Sequence, residues 1–302
     1  MQQTKQQGLV ECKRRRERQI FHTTIKKDMV IDMSSGVLIS SMNNPQIKNL
    51  ALLQRKAKAR KEQGLFIVEG IKMLEEAKES KLLVKVYVSE SFYQEKSMVT
   101  KFLSGLEYEV VTDSVFKLVT DTISPQGIMG TVKVPLYSVD KMIDEKNALL
   151  LLLEDIRDPG NLGTIIRTAE GAGVTGIILN SSCADILQPK VVRSTMGSIY
   201  RVPYYDARDF TDFLAKLKTE GFNLYAAHLS GAPYDTKGSF QGKCGLLIGN
   251  EAGGLSEVAT SMADRLIKIP MAGKVESLNA AIAAAILMYE VARQKKLQQI
   301  DK

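Results

Sequence analysis

Three stretches of the chain place glycines and polar side chains directly after an apolar run, at residues 154–167, 246–255 and 267–280. In an open α/β sheet, ligands bind beyond the carboxyl ends of the strands, where such loops lie. Glycines in these loops let a ligand approach the main chain closely. The three loops are therefore the candidate site, and the other elements have to position them.

The first loop differs from a dinucleotide-binding turn. Asp158 stands where the first glycine of G-x-G-x-x-G would be, which disfavours a nucleotide-dependent oxidoreductase. Asn161 lies at the predicted start of a helix, where N-capping is the structural alternative to a chemical role. Arg167 lies among apolar residues of that helix, so it is either a functional group or a surface arginine whose stem packs on the sheet.

The other two loops also have plain structural interpretations. Glu251 among glycines is an ordinary turn residue, and Ser277 is the predicted N-cap of the last helix. The alanines between positions 280 and 285 make that helix thin enough for close packing, although high helix propensity explains them as well.

Apolar strands alternate with helices after residue 147. We predict strands at 148–154, 175–179, 223–227, 245–248 and 266–269, and helices at 162–172, 188–196, 207–219 and 278–296. Buried aliphatic strands separated by helices are typical of a mainly parallel sheet that is covered on both faces. The predicted fold class of this half is therefore α/β.

A smaller α/β domain precedes this half. A basic helix begins near Asn44, with Leu52 predicted inward and a cationic outer face that includes Arg55, Lys58 and Arg60. Strands at 65–69, 83–89 and 127–134 and short helices at 72–78 and after an N-cap at Asp113 complete it.

We divide the chain into a flexible basic tail (1–40), the small domain (41–137), a linker (138–147) and the larger domain (148–297). The basic cluster in the tail is either an arm that contacts an anionic partner or a solvated charge run. Met33 and Met42 are possible alternative start sites, so the question whether the tail belongs to the native protein stays open.

Composition excludes several classes of protein. No apolar run approaches the roughly 20 residues that span a bilayer, which predicts no membrane partner. Cys12, Cys183 and Cys244 are too scattered for a disulfide framework or a Cys-x-x-Cys metal site, so we expect no metal and a reducing cytoplasm. The net charge of +7 hints at an anionic partner, but much of it lies in the tail.

Together, the three loops resemble the three motifs of the SpoU (TrmH-like) family of RNA ribose 2'-O-methyltransferases, within the SPOUT class. The resemblance covers residues 148 to about 294. Residues 44–134 resemble the substrate-binding domain that often precedes the catalytic domain in that family, including the strings at 66–70 and 125–127. The first 40 residues have no counterpart.

The resemblance implies a SPOUT-type, mainly parallel sheet with a deep trefoil knot, and a small α/β RNA-binding domain in front of it. It implies S-adenosyl-L-methionine as cofactor, held largely by main chain, and a homodimer formed through the C-terminal domain. Matched by motif, the cofactor contacts are Leu247, Gly249, Ile269, Met271 and Leu278.

The resemblance also assigns the chemistry. A ribose hydroxyl needs a group that removes its proton or stabilises the developing alkoxide. Arg167 takes that role, either as an electrostatic stabiliser, which we favour because arginine keeps its proton, or as a perturbed base. Orienting roles fall to Asn161, Glu251, Ser277 and Asn279. Candidate RNA contacts are Lys190, Arg193, Arg201, Arg55 and Lys58, with a solvated helix face as the alternative.

The expected substrate is 23S ribosomal RNA, with guanosine favoured. Transfer RNA and a catalytically inactive RNA-binding protein of the same fold are the alternatives. The inactive protein is disfavoured because the motif residues Arg167, Asn161, Glu251 and Asn279 are all present.

Overall fold

The computed structural model describes residues 38–95, 102–235 and 240–300, which form two β-sheets with helices around them. The tail predicted at 1–40 lies almost wholly outside the described residues. Within the described part, no helix has the length and apolar character needed to cross a bilayer.

The front sheet has four strands in the order β1-β4-β2-β3, in which β4 runs antiparallel to β1 and β2 while β2 and β3 are parallel. Its strands are β1 (Leu65–Glu69), β2 (Leu83–Ser89), β3 (Tyr108–Val111) and β4 (Ile128–Lys133). Its helices are α1 (Pro45–Arg55), α2 (Ala57–Gln63), α3 (Ile71–Glu79), α4 (Glu90–Gln94) and α5 (Asp113–Val119).

Strand β3 and helix α4 of this front region were not predicted, and three further details differ from the prediction. The basic segment forms two helices, because Lys56 takes an extended conformation between α1 and α2. Leu52 is exposed and Arg60 is buried, which reverses the sides that we expected for them. Thr112, not Asp113, precedes α5, and the carboxylate of Asp113 instead accepts hydrogen bonds from Ser91.

The second sheet has six strands, all parallel, in the order β10-β8-β9-β5-β6-β7. Its strands are β5 (Leu149–Leu153), β6 (Gly176–Asn180), β7 (Tyr204–Ala207), β8 (Asn223–Pro233), β9 (Cys244–Ile248) and β10 (Arg265–Lys268). The helices are α6 (Val139–Asp144), α7 (Pro159–Gly171), α8 (Pro189–Thr195), α9 (Phe210–Thr219), α10 (Glu257–Met262) and α11 (Ala280–Ile300).

The parallel sheet confirms the predicted α/β class. All five residues of β5 are buried leucines, as expected for a central strand that is covered on both faces. Strand β7 was missed because it is short and two of its four residues are exposed, which hides the apolar pattern. The segment 138–147, expected to be a linker, contains α6, whose Met142 and Ile143 join the core beside β5.

The two sheets share one continuous apolar core. Phe66 of β1 and Leu151 of β5 belong to the same cluster of buried side chains. Tyr200 makes one of the contacts between the two halves, since its ring lies 6.2 Å from that of Phe66 and its hydroxyl donates to the carbonyl of Met73 at 3.3 Å. Packing therefore holds the front region against the parallel sheet.

Candidate active site

Helix α7 begins earlier than we predicted, and this frees the side chain of Asn161. The N-cap is Asp158, whose carboxylate accepts a hydrogen bond from the Asn161 amide at 2.8 Å. Pro159 follows, at a position where its missing N–H costs nothing. The structural alternative, in which Asn161 caps this helix, is therefore ruled out, and its side chain points to the two other loops instead.

Helix α11 begins later than we predicted. Its first two free amides, those of Ala281 and Ile282, donate to the side-chain oxygen of Asn279 at 3.0 and 3.3 Å. Asn279 is thus the capping residue, and the predicted cap, Ser277, lies two residues before it and is exposed. An asparagine caps as well as a serine does, so local sequence did not decide between them.

The side chain of Asn161 joins all three loops. Its amide nitrogen donates to the carboxylate of Glu251 in the second loop. Its oxygen accepts a hydrogen bond from Nδ2 of Asn279 in the third loop at 3.0 Å. The structure therefore brings together three of the predicted orienting residues, from positions about 90 and 118 apart in the sequence.

The second loop closes tightly at the end of β9. Asn250 and Gly254 exchange main-chain hydrogen bonds, and Nδ2 of Asn250 donates to the carbonyl of Asp155 at 2.9 Å. A Cβ atom at Gly249 would lie 2.3 Å from the carbonyl carbon of Gly254 and 2.4 Å from the amide nitrogen of Leu255. Only glycine fits there, because the loop passes its own main chain at contact distance.

Arg167 lies on α7 with its side chain exposed, while its neighbours Ile165, Ile166 and Ala169 are buried. Among the described residues, its guanidinium has no hydrogen-bond or ion-pair partner. An unpaired guanidinium at the surface presents all its donors to an incoming anion. Arg167 and Asn161 share a helix, so the asparagine network also sets the position of the arginine.

The predicted cofactor contacts divide into two kinds. Leu247 lies inside β9 with its side chain fully buried and its main chain paired with β5 and β8, which leaves it no free side-chain surface. Gly249 follows β9, while Ile269 and Met271 follow β10. These three residues and Leu278 are all partly exposed. Parallel pairing puts these strand ends at one edge of the sheet. Partly buried apolar side chains beside accessible glycine main chain suit a flat heteroaromatic ring that hydrogen-bonds to the main chain.

The site offers neither a metal cluster nor a reactive thiol within the described residues. No group of three or more His, Cys, Asp or Glu side chains there is placed to hold a metal ion. Cys183 lies beneath the first loop, where the amide of Ile156 donates to its sulfur at 3.4 Å. Burial raises the pKa of the Cys183 thiol to about 11, so it stays protonated near neutral pH.

The predicted RNA contacts are not equally available. Lys190 and Arg55 are exposed, and Lys58 makes only a loose pair with Glu62 at 3.7 Å. Arg193 donates to Asp121 of the front region at 2.8 Å.

Arg201 pairs with Glu76 of α3 and Glu170 of α7. Sequence reasoning missed these partners, because Arg201 and Glu76 lie 125 residues apart and no local pattern links them.

A cavity of about 960 Å³ opens at the ends of the front strands. Both front-domain segments singled out in the sequence contribute to the wall of this cavity. Glu69 and Gly70 come from the first segment, and Gln126 and Gly127 come from the second. Arg193 of α8 forms part of its wall, so residues of both halves of the chain contribute to this cavity.

A six-stranded parallel sheet with glycine loops meeting at its carboxyl edge is the architecture of α/β proteins that bind a ligand beyond the strand ends. The model of the SpoU rRNA methylase family matches residues 148–289, and that of the MRM3-like substrate binding domain matches residues 44–130.

Among known proteins, the chain is similar to the 23S rRNA (guanosine(2553)-2'-O)-methyltransferase RlmP of Bacillus subtilis, with 32% identity over 84% of this chain and 98% of that protein. It is also similar to the mitochondrial rRNA methyltransferase 3 of Homo sapiens, with 27% identity over 78% of this chain and 69% of the relative. This chain belongs to the SpoU family of rRNA methylases.

Solved structures agree with this assignment. The AdoMet-bound rRNA methyltransferase from Sinorhizobium meliloti has a TM-score of 0.72 and 32% identity, and covers 85% of this chain and 98% of its own. The SpoU methyltransferase AviRb from Streptomyces viridochromogenes, in complex with AdoMet, has a TM-score of 0.75 and 27% identity over 84% and 99% of the two chains. The recognised family and the predicted SPOUT-type α/β fold class are thereby confirmed, while the trefoil knot stays a prediction.

Proposed function

We propose that this protein transfers a methyl group from S-adenosyl-L-methionine to a ribose 2'-hydroxyl of 23S ribosomal RNA, with guanosine as the favoured nucleotide. The observation that carries the proposal is the hydrogen-bond network of Asn161, Glu251 and Asn279, which joins the three motif loops on the helix that bears the free Arg167. The named activities of the relatives in Bacillus subtilis and Homo sapiens support ribosomal over transfer RNA.

Arg167 acts on the 2'-oxygen. A guanidinium is a pure donor that keeps its proton, so Arg167 stabilises the negative charge that develops as the hydroxyl is deprotonated. An exposed, unpaired arginine suits this role, because all of its donors are free to meet the developing oxyanion. S-adenosyl-L-methionine supplies the electrophilic methyl group when it is bound.

The cofactor is held at the carboxyl edge of the parallel sheet. Gly249 presents its main chain, and Ile269, Met271 and Leu278 supply apolar surface, while Leu247 acts only by holding β9 in the sheet. Ser277, which is exposed in the third loop before α11, keeps its predicted orienting role. The family resemblance supports a trefoil-knotted chain path around this site.

RNA is bound by the small domain at 41–137 together with the exposed cations of the domain at 148–297. Arg55, Lys58 and Lys190 are the exposed side chains available for phosphates, and Arg193 becomes available if its pair with Asp121 opens.

The protein acts as a cytoplasmic homodimer. Ile282 and Tyr289 of α11 are 50% and 53% exposed and lie seven residues apart on that helix, as an interface stripe would require.

The test combines mapping with kinetics. The 2'-O-methyl positions in ribosomal and transfer RNA are compared between cells with and without the gene, and the purified protein is then assayed on the fragment that contains the lost site. We expect Arg167→Ala to slow single-turnover methylation at least about 100-fold while the heat of cofactor binding is retained. Unchanged methylation by Arg167→Ala, or no site lost in either RNA, would overturn the proposal.

A further inference from the structure

Glu170 lies three residues after Arg167 on α7. Side chains at this spacing are neighbours on a helix, and opposite charges there normally attract. Glu170 nevertheless contacts another arginine: Nε of Arg201 donates to one carboxylate oxygen, and Nη2 donates to the other at 3.2 Å. The acidic group nearest to Arg167 in sequence is therefore already occupied by a bidentate pair.

Arg201 is itself held from a second side. Its Nη1 donates to Glu76 of α3, in the front region. Gly197 lies just before Arg201 with φ of 95°, and a Cβ atom there would lie 2.9 Å from the carboxylate carbon of Glu76. The neighbouring Tyr200 is packed into the shared core. Both carboxylates and the turn that carries Arg201 therefore fix the guanidinium between the two halves of the chain.

The pair also favours the ionised form of Glu170, which is charged at neutral pH in any case. Hydrogen bonds from Arg201 lower the pKa of the Glu170 carboxyl. An ionised carboxylate released beside Arg167 would accept hydrogen bonds from the same guanidinium N–H groups that the 2'-oxygen needs. It would also repel the negative charge that develops on that oxygen.

We propose that Arg201 is a positioning residue that keeps Glu170 away from Arg167, so that the Arg167 guanidinium stays free for the ribose 2'-oxygen. This inference rests on the proposed function, because it assigns Arg201 a role only through Arg167. It differs from the simpler role of Arg201 as a phosphate contact, in which Glu170 would merely compete with RNA for the same guanidinium.

The test is a rescue experiment on the full chain. We expect Arg201→Met to slow single-turnover methylation, at saturating RNA and cofactor, by about tenfold or more, because it releases Glu170. The double variant Arg201→Met with Glu170→Gln should return to within about threefold of wild type, since no carboxylate then competes for Arg167. Glu170→Gln alone should methylate close to the wild-type rate.

Two further variants keep the test decisive. Lys216→Met removes an exposed pair with Asp140 elsewhere on the surface and should leave the rate unchanged. Arg201→Lys keeps one positive charge but cannot hydrogen-bond both carboxylates as arginine does, so it should give an intermediate rate. This variant therefore still tests the inference if Arg201→Met folds poorly. Melting temperatures recorded for every variant separate a loss of folded protein from a loss of rate.

The outcomes identify which idea fails. If the double variant stays as slow as Arg201→Met, the inference is overturned. If Arg201→Met mainly weakens RNA binding and reduces its salt dependence by about one unit of slope, Arg201 is a phosphate contact instead. Full activity of Arg167→Ala overturns the proposed function itself, whatever the rescue shows.

Discussion

Single side chains in this site serve two elements at once. Asn279 caps α11 with its oxygen and donates to Asn161 with its nitrogen. Asn161 in turn uses its nitrogen for Glu251 and its oxygen for Asn279, so both of its polar atoms are occupied. This arrangement requires an amide at position 161, because a carboxylate offers no donor and an alcohol cannot reach both partners.

Replacing Asn161 by aspartate tests that requirement. Asn161→Asp places a carboxylate against Glu251, so it removes one hydrogen bond and adds like-charge repulsion. We expect a loss of about 1–3 kcal/mol in the free energy of unfolding, measured by urea denaturation, together with slower methylation. Asn49→Asp is the matched control, since its amide bonds only to exposed Gln63. Equal stability of both variants would contradict the role of Asn161.

Helices α7 and α8 owe their relative position to one glycine. A Cβ atom at Gly163 would lie 2.4 Å from Cβ of Ser194 and 2.8 Å from the carbonyl oxygen of Val191. The two helices therefore approach each other at main-chain distance, which aligns Arg193 of α8 with the helix that bears Arg167. A glycine inside a helical pattern gave no indication of which helix it would meet.

Gly163→Ala measures this close approach. Alanine improves helix propensity by up to about 1 kcal/mol, but overpacking against a main-chain oxygen costs about 1–3 kcal/mol. We expect the cost of overpacking to exceed the gain in helix propensity. The variant should therefore lose stability in thermal and urea unfolding and methylate more slowly. Gly273→Ala, where the added Cβ meets nothing within 4 Å, should leave stability unchanged; because Gly273 lies in the third loop, it is a control for unfolding only. A more stable Gly163→Ala protein would show that the helices can separate.

Across the whole molecule, arginines connect the front region to the parallel sheet. Arg60 of α2 is 4% exposed and donates to Asp185 through Nε at 2.9 Å, while Arg193 and Arg201 reach back to Asp121 and Glu76. These pairs join the two sides of the shared apolar core, so the front region and the three loops are expected to move as one body.

Arg60→Met is expected to destabilise the whole described fold. It leaves the Asp185 carboxylate without its guanidinium and the carbonyls of Leu53 and Gln54 without their donor. Because Arg60 is buried while Asp185 is partly exposed, removing the arginine should cost up to about 3 kcal/mol, and urea unfolding should register it. Lys58→Met, on the same helix but with only an exposed partner, should change stability little. A loss equal to that of the control would contradict the structural role of Arg60.

Low pH should weaken the ion pair between Arg201 and Glu170. The folded-state pKa of Glu170 lies below its ordinary value, mainly because of the hydrogen bonds from Arg201. The ionised Glu170 therefore contributes to stability above its unfolded-state pKa of about 4.3. This contribution is lost as pH falls through the lower folded-state pKa. The stability difference between wild type and Arg201→Met, from urea unfolding at several pH values, should shrink in acid. A difference that grows there would contradict the pairing.

The α/β class, most of the strands and the three glycine loops followed from the sequence because they depend on local periodicity and on residues a few positions apart. Strand β1 was predicted at 65–69, where the structure has it, from its apolar run between a helix and a glycine. The helix starts at Asn161 and Ser277 were misjudged because several neighbouring side chains cap equally well, and only the partners across the site decide which one does.

The three loops themselves, with Arg167 as their candidate centre, were determined by the sequence. The tertiary structure decided how they are joined. It placed Asn161 between Glu251 and Asn279, buried Arg60, and gave Arg201 two carboxylates while leaving Arg167 with none among the described residues. The physical reason is separation along the chain: a charge pairs with whatever the packed core brings within a few ångströms, and for Arg201 and Glu76 that partner is 125 residues away.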